Sequence, residues 1–233
     1  MKVMIDAGHG FDTAGKRTVD GMKEYEFNRA VANEMKKLLL GYEHVTVLFS
    51  HSDQRDVPLA ERASKANNAK TDLFISIHAN AHGNGKEWTS AEGIETYVYT
   101  SKPKTAYEAA KIVQAKLVAS TSRVDRGVKT ADFYLLKKTN MPAILCECGF
   151  MTHKVEAHLL RSLDYRQACA QAIVSGIAAY YKLKKIPEAV KKEWYRVQLG
   201  AFQERENAAK LAAELTKKGY QALIVRNQKD GQR

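Results

Sequence analysis

The chain has 233 residues, 45% hydrophobic and 27% charged, proportions that predict a globular protein of one large domain, or of one domain with a small appendage. No apolar run approaches the length that crosses a bilayer, which excludes membrane insertion. The N-terminus MKVMIDAGHG enters a strand at once, which predicts synthesis in the cytoplasm without a signal peptide. The net charge of +11 is uneven: residues 1–181 carry 24 Lys and Arg against 20 Asp and Glu, and residues 182–233 carry 13 against 6, so the surplus that attracts polyanions belongs to the tail.

Val3, Met4 and Ile5 make a short apolar run bounded by Gly8 and Gly10, the pattern of a buried strand ending in a tight turn that carries His9. Gly10–Lys23 has no period and reads as a loop. From Glu24 to about Leu40, Phe27, Val31, Met35, Leu38 and Leu39 recur at helical spacing, and Gly41 stops the helix. His44–Phe49 is the next strand, and Pro58 opens a helix with Leu59, Ala63 and Ala66 inward. Asp72–Ile77 is a strand that delivers His78, followed by a polar loop over Ala79–Ala91. Gly93–Tyr99 alternates as a half-buried strand should, Ala106–Ser120 is helical, and Phe133–Leu136 reads as a short strand. Pro142–Cys146 is a strand ahead of Glu147, and Tyr165–Lys184 is a long helix. Strands alternating with helices predict an α/β domain over residues 1–181, with a mostly parallel sheet flanked by helices. Residues 182–192, KLKKIPEAVKK, form a charged linker. Residues 193–233 read as a small strand–helix–strand unit: Trp194–Phe202, Glu204–Lys218 and Tyr220–Val225.

Parallel strands of an open α/β sheet gather ligand-binding groups at their carboxyl ends. His9, His78 and Glu147 each follow an apolar run, and Glu24 opens the helix after the first of them. Two histidines and a carboxylate form a catalytic zinc set, and a further carboxylate can act as general base. Spacing does not choose between Glu24 and Glu26. Glu147 follows four apolar residues, where a carboxylate is costly to bury unless it is metal-linked or protonated, and this marks it as functional. His44, His51, His82 and His158 lack a partner pattern and read as surface residues, whereas His153 reads as a packing residue. Cys146, Cys148 and Cys169 make no disulfide framework. The first two face away from Glu147 and read as small buried side chains.

The order IDAGHG, Glu24 at a helix start, SIHAN and MPAILCECGF resembles the zinc-dependent N-acetylmuramoyl-L-alanine amidases of the Amidase_3 type, over residues 1 to about 181. The resemblance implies one Zn2+ with His9, Glu24 and His78 as ligands and Glu147 as the catalytic glutamate. In that family the ligand glutamate precedes an asparagine by four positions, as Glu24 precedes Asn28. The implied reaction is hydrolysis of the amide between N-acetylmuramic acid and L-alanine of the peptidoglycan stem peptide. Phe11 stands where many members have glycine, and His153 where many have asparagine. The loop GKRTVDG followed by EYEFN resembles phage lytic amidases, which implies an endolysin acting on the wall after release during lysis; a mother-cell sporulation amidase is the alternative. A zinc peptidase cutting within the stem peptide, and a non-catalytic wall- or nucleic-acid-binding protein, are the rival classes. The tail resembles the first half of a SPOR repeat. That implies binding to peptidoglycan rather than to a specific nucleic acid, and a homodimer in which two half-modules complete each other.

Overall fold

The structure, a computed structural model, describes residues 1–187, 199–220, 222 and 224. The chain divides into two compact units, Met1–Pro187 and Glu188–Arg233. The first begins with strand β1 (Lys2–Ala7), helix α1 (Glu24–Leu39), β2 (Thr46–Phe49), α2 (Leu59–Asn68), β3 (Leu73–Asn80) and β4 (Ile94–Tyr99). It continues with α3 (Lys104–Thr121), β5 (Asp125–Ala131), α4 (Tyr134–Lys138), β6 (Ala143–Phe150), α5 (Lys154–Arg161) and α6 (Leu163–Tyr181). The described residues form a six-stranded sheet in the order β2-β1-β3-β6-β4-β5. Its pairings are parallel except β4 with β6, which is antiparallel.

Strand alternation sends β1 into two cores. Val3 and Ile5 join Ile75 and Ile144 on one face, covered by Phe27 and Val31 of α1, Val113 and Leu117 of α3, and Ile173 and Ile177 of α6. Met4, Phe74 and Leu145 face the other way, against Ala63 and Ala66 of α2 and Leu135 and Leu136 of α4. Helices α3 and α6 approach closely because Gly176 lies at their crossing: a Cβ there would meet the Val113 Cα at 2.9 Å. Helix α1 starts cleanly because the Glu26 carboxylate accepts the Lys23 backbone N–H at 2.9 Å, with the acids Glu24 and Glu26 in its first turn and Lys36 and Lys37 in its last.

One local expectation changes, and two elements were not foreseen. Phe133–Leu136 is not a strand: Tyr134–Lys138 is a single helical turn and a half, α4, that buries Leu135 and Leu136 side by side. Two adjacent apolar residues carry no period, so the run did not distinguish the two states. Strand β5, DRGVKTA, and helix α5, KVEAHLLR, carry no sequence prediction, since β5 is a polar edge strand that buries no side chain fully.

In the second unit, α7 (Arg205–Lys217) matches the expected helix, and Ala208, Leu211, Ala212 and Leu215 are its half-buried stripe. The expected strand Trp194–Phe202 lies outside the described residues up to Gln198, and Leu199–Phe202 is not in a strand. Of Tyr220–Val225, only Tyr220, Ala222 and Ile224 are described, and they are not in a strand either. No helix among the described residues is long and apolar enough to cross a membrane.

Candidate metal centre

At the end of β1 the chain turns sharply, and His9 takes a left-handed conformation, φ 64°, that is uncommon for a residue with a side chain. The Gly8 N–H donates to the Ile77 carbonyl at 3.0 Å, which keeps the turn beside β3. A Cβ at Gly8 would lie 2.6 Å from His78 Nδ1 and closer still to its Nε2 and Cε1, so only glycine leaves room for the imidazole. The His9 and His78 rings then meet edge to face, 5.0 Å apart.

Glu24 reaches both histidines from the first residue of α1. Its Oε2 lies 3.2 Å from His9 Nε2 and its Oε1 lies 2.9 Å from His78 Nδ1. Oε1 also accepts the Ala79 N–H at 3.1 Å and the Asn28 amide at 3.2 Å; that amide donates as well to the Gly8 carbonyl at 3.0 Å. Burial on its own would raise the Glu24 carboxyl, yet the contacts from His78 and His9 outweigh it and hold the group well below the usual carboxylate range. For His78, burial disfavours the imidazolium, but the Glu24 carboxylate dominates and the net shift is upward. One donor atom from each of His9, Glu24 and His78 lies within 4.8 Å of the others. Two imidazole nitrogens and a carboxylate oxygen, partly open to solvent, are the donor chemistry that zinc accepts.

Glu147 is the register partner of His78 on the neighbouring parallel strand, so both side chains leave the same face of the sheet. Its Oε2 is buried with no hydrogen-bond partner among the described residues. Burial pushes the Glu147 carboxyl up to about 8; the His78 charge opposes this, and the Glu24 and Glu95 charges add to it. On its other side Glu147 is paired in register with Glu95 of β4. That carboxylate, 2% exposed, is held by Lys129 Nζ at 2.6 Å, by Arg126 Nε and by the Asn80 amide at 3.1 Å. Beyond Glu147, the fully buried Glu156 accepts the Phe150 N–H at 2.7 Å and the Gly93 N–H at 2.9 Å, tying the ends of β6 and β4 together. A cleft of about 440 Å³ opens beside His9 and His78 and is bordered by Thr13, Asp56, Pro58, Leu59 and Leu135.

The four candidate residues thus lie together. Glu26, which spacing left level with Glu24, caps α1 instead. His44, His82 and His158 are exposed, as expected, but His51 is a correction: it is buried and its Nδ1 accepts the Ala7 N–H at 3.0 Å. His153 caps α5 through its ring, accepting the Glu156 N–H. Cys146 and Cys148 are buried on the face opposite Glu147. Sequence reasoning missed Arg62, although it sits beside the inward Ala63 and one helical turn before Ala66, and a charge on an apolar stripe is a legible signal; Leu59, expected inward, is instead 51% exposed at the cleft.

Known proteins resemble this chain in sequence and fold. The family model described as N-acetylmuramoyl-L-alanine amidase matches residues 3–179, and the SPOR domain model matches residues 170–233. The N-acetylmuramoyl-L-alanine amidase CwlM of Bacillus licheniformis is 34% identical over 228 residues, 97% of this chain and 85% of that protein. The sporulation-specific N-acetylmuramoyl-L-alanine amidase of Bacillus subtilis is 32% identical, over 97% of this chain and 84% of that protein. The endolysin of Bacillus phage SPP1 is 35% identical, over 78% of this chain and 67% of its own length. Among solved structures, an N-acetylmuramoyl-L-alanine amidase from Clostridium difficile 630 superimposes with a TM-score of 0.73 at 34% identity, covering 78% of this chain and 96% of that one. With its sheet, its strand-end histidines and this match over most of its length, the chain belongs to the N-acetylmuramoyl-L-alanine amidase family.

Proposed function

We propose that this chain hydrolyses the amide between N-acetylmuramic acid and L-alanine of the peptidoglycan stem peptide, using a zinc ion held by His9, Glu24 and His78 and a proton carried by Glu147. The observation that carries the reading is the convergence of three ligand-competent atoms within 4.8 Å, next to a carboxylate in register with one of them. Zinc bound there supplies an electrophile for the amide carbonyl and lowers the pKa of water beside it. Glu147 accepts one proton from the attacking water and returns it to the alanine nitrogen as the C–N bond breaks and the C–O bond forms. Its environment suits both proton transfers, since burial raises its proton affinity and a nearby dication lowers it again. Glu24, anchored by the Ala79 N–H and the Asn28 amide, keeps both imidazoles oriented.

The proposed organisation is a catalytic domain over residues 1–181, a linker over 182–192 and a half SPOR-like wall-binding module over 193–233. Leu199, Phe202, Tyr220 and Ile224 are exposed in that module, which favours pairing with a second copy. The proposed setting is a phage endolysin that acts on the wall after release during lysis. The sporulation amidase is the second reading, favoured by the reach of the sporulation-specific relative's match through 97% of the chain, against 78% for the phage endolysin.

Metal analysis with sequencing of wall-digest products tests the chemistry. The expected result is one zinc per chain and new N-terminal alanine, both lost to a chelator. Other new N-termini would select a peptidase within the stem peptide.

A further inference from the structure

Arg62 is buried to 1% exposure, in α2, on the floor of the cleft beside His9. Its N–H donors go to two stretches of chain, residues 6–9 and residues 56–57. Nη1 donates to the Ala7 carbonyl at 2.7 Å and to Asp6 Oδ1 at 2.9 Å. Nη2 donates to the His9 carbonyl at 2.6 Å and to Asp56 Oδ1 at 3.2 Å, and Nε donates to the Val57 carbonyl at 2.7 Å. Asp6 is fully buried and is itself anchored by Ser76 Oγ at 2.6 Å and by the Ser50 hydroxyl.

The fork therefore grips carbonyls on both sides of Gly8, the residue over which the His78 ring passes. One of those carbonyls belongs to His9 itself, whose left-handed backbone is intrinsically disfavoured, and a charge-assisted bond to a carbonyl is stronger than a neutral one. An ordinary buried ion pair needs only Asp6. Two main-chain carbonyls two residues apart require the planar guanidinium, which a lysine cannot imitate.

We infer that Arg62 is a positioning residue for the metal centre: by holding the Ala7 and His9 carbonyls, it fixes the turn that presents the His9 imidazole and so sets the affinity of the site for zinc. The inference rests on the proposed reading of His9 as a ligand and adds a requirement of its own. Because affinity linkage is reciprocal, zinc must in turn hold Arg62 in place.

The test measures the zinc affinity of the full chain by competition with a chromophoric chelator, alongside urea unfolding of the metal-free protein. Arg62→Lys should fold and bind zinc at least roughly tenfold more weakly, the scale seen when residues that orient a ligand are altered. Leu117→Ala, a core truncation in α3, should lower stability while leaving zinc affinity unchanged. A folded Arg62→Lys within about twofold of the parent affinity would overturn the inference, as would an equal loss in Leu117→Ala. If Arg62→Lys does not fold, the parent protein decides: zinc should slow solvent exchange of the Arg62 guanidinium protons, and an unchanged rate overturns the inference. His9→Ala is the separate control. If it keeps full zinc affinity, the ligand reading itself has failed; if it loses zinc while Arg62→Lys does not, only the role of Arg62 has.

Discussion

His78 and Glu147 sit opposite each other on adjacent parallel strands, one offering an imidazole and the other a carboxylate with a buried oxygen that has no partner among the described residues. Neighbouring strands in a sheet are about 4.8 Å apart, so the register places a carboxylate beside a ligand-competent group without any loop to position it. Rigid elements hold such geometry better than loops do. The division of labour between them can be separated by mutation. His9→Ala or His78→Ala should lose zinc and activity together, because a three-ligand site rarely survives on two. Glu147→Gln should keep zinc while kcat falls by roughly a hundredfold or more. Metal content and turnover, measured on the same preparations, check both outcomes; zinc loss in Glu147→Gln would make it a ligand instead.

Gly8 is expected to tolerate no side chain. Gly8→Ala drives a methyl into the His78 imidazole, and the ring must leave its place beside Glu24. Overpacking of this kind costs about 1–3 kcal/mol of stability. Chelator competition should show weakened zinc binding in Gly8→Ala even at temperatures where the variant is fully folded.

In the metal-free protein burial pushes the Glu147 carboxyl up to about 8, against about 4.5 for an exposed glutamate. Between those values the folded chain binds more protons than the unfolded chain, so stability falls as pH rises from about 4.5 to about 8. Glu24 has the opposite sign: its carboxyl is lowered when folded, so its contribution is present above the ordinary glutamate range and is lost as pH falls below it. Urea unfolding across pH should show the neutral-side slope in the parent and a reduced slope in metal-free Glu147→Gln. An identical slope in both would assign it to another group.

Activity should fall on the acid side. Zinc requires neutral imidazoles, and the Glu24 carboxylate favours the charged form of His78, so protons compete with metal above the ordinary histidine range. Added zinc should move that limb to lower pH; a limb insensitive to zinc would belong to Glu147 or to the substrate.

The tail can be tested apart from the chemistry. If two half-modules pair, light scattering over a dilution series should show a dimer that dissociates, and a chain truncated after Lys185 should remain monomeric. The truncated chain should still hydrolyse small muramoyl-peptide substrates while attaching more weakly to whole walls. Undiminished wall attachment would remove the tail from targeting.

The catalytic fold was legible from the chain because its apolar runs are unambiguous. Val3–Ile5, Asp72–Ile77 and Pro142–Cys146 are short, bounded by turn residues and separated by segments of helical period, so burial on both faces of a parallel sheet follows from composition alone. The histidines at their ends followed for the same reason. Elements without an apolar period, the edge strand β5 and the short helix α4, depended on neighbours far away in sequence. Tertiary structure also separates Glu24 from Glu26, which spacing alone leaves level and the family resemblance ranks: they differ by two residues, about 200° around a helix, which turns one toward the histidines and the other back onto Lys23. It likewise placed Arg62 beneath the His9 turn and His51 behind β1. Hydrophobic pattern records which side chains leave water. It does not record which polar groups meet once they have left, because that pairing is set by contacts across strands and helices dozens of residues apart.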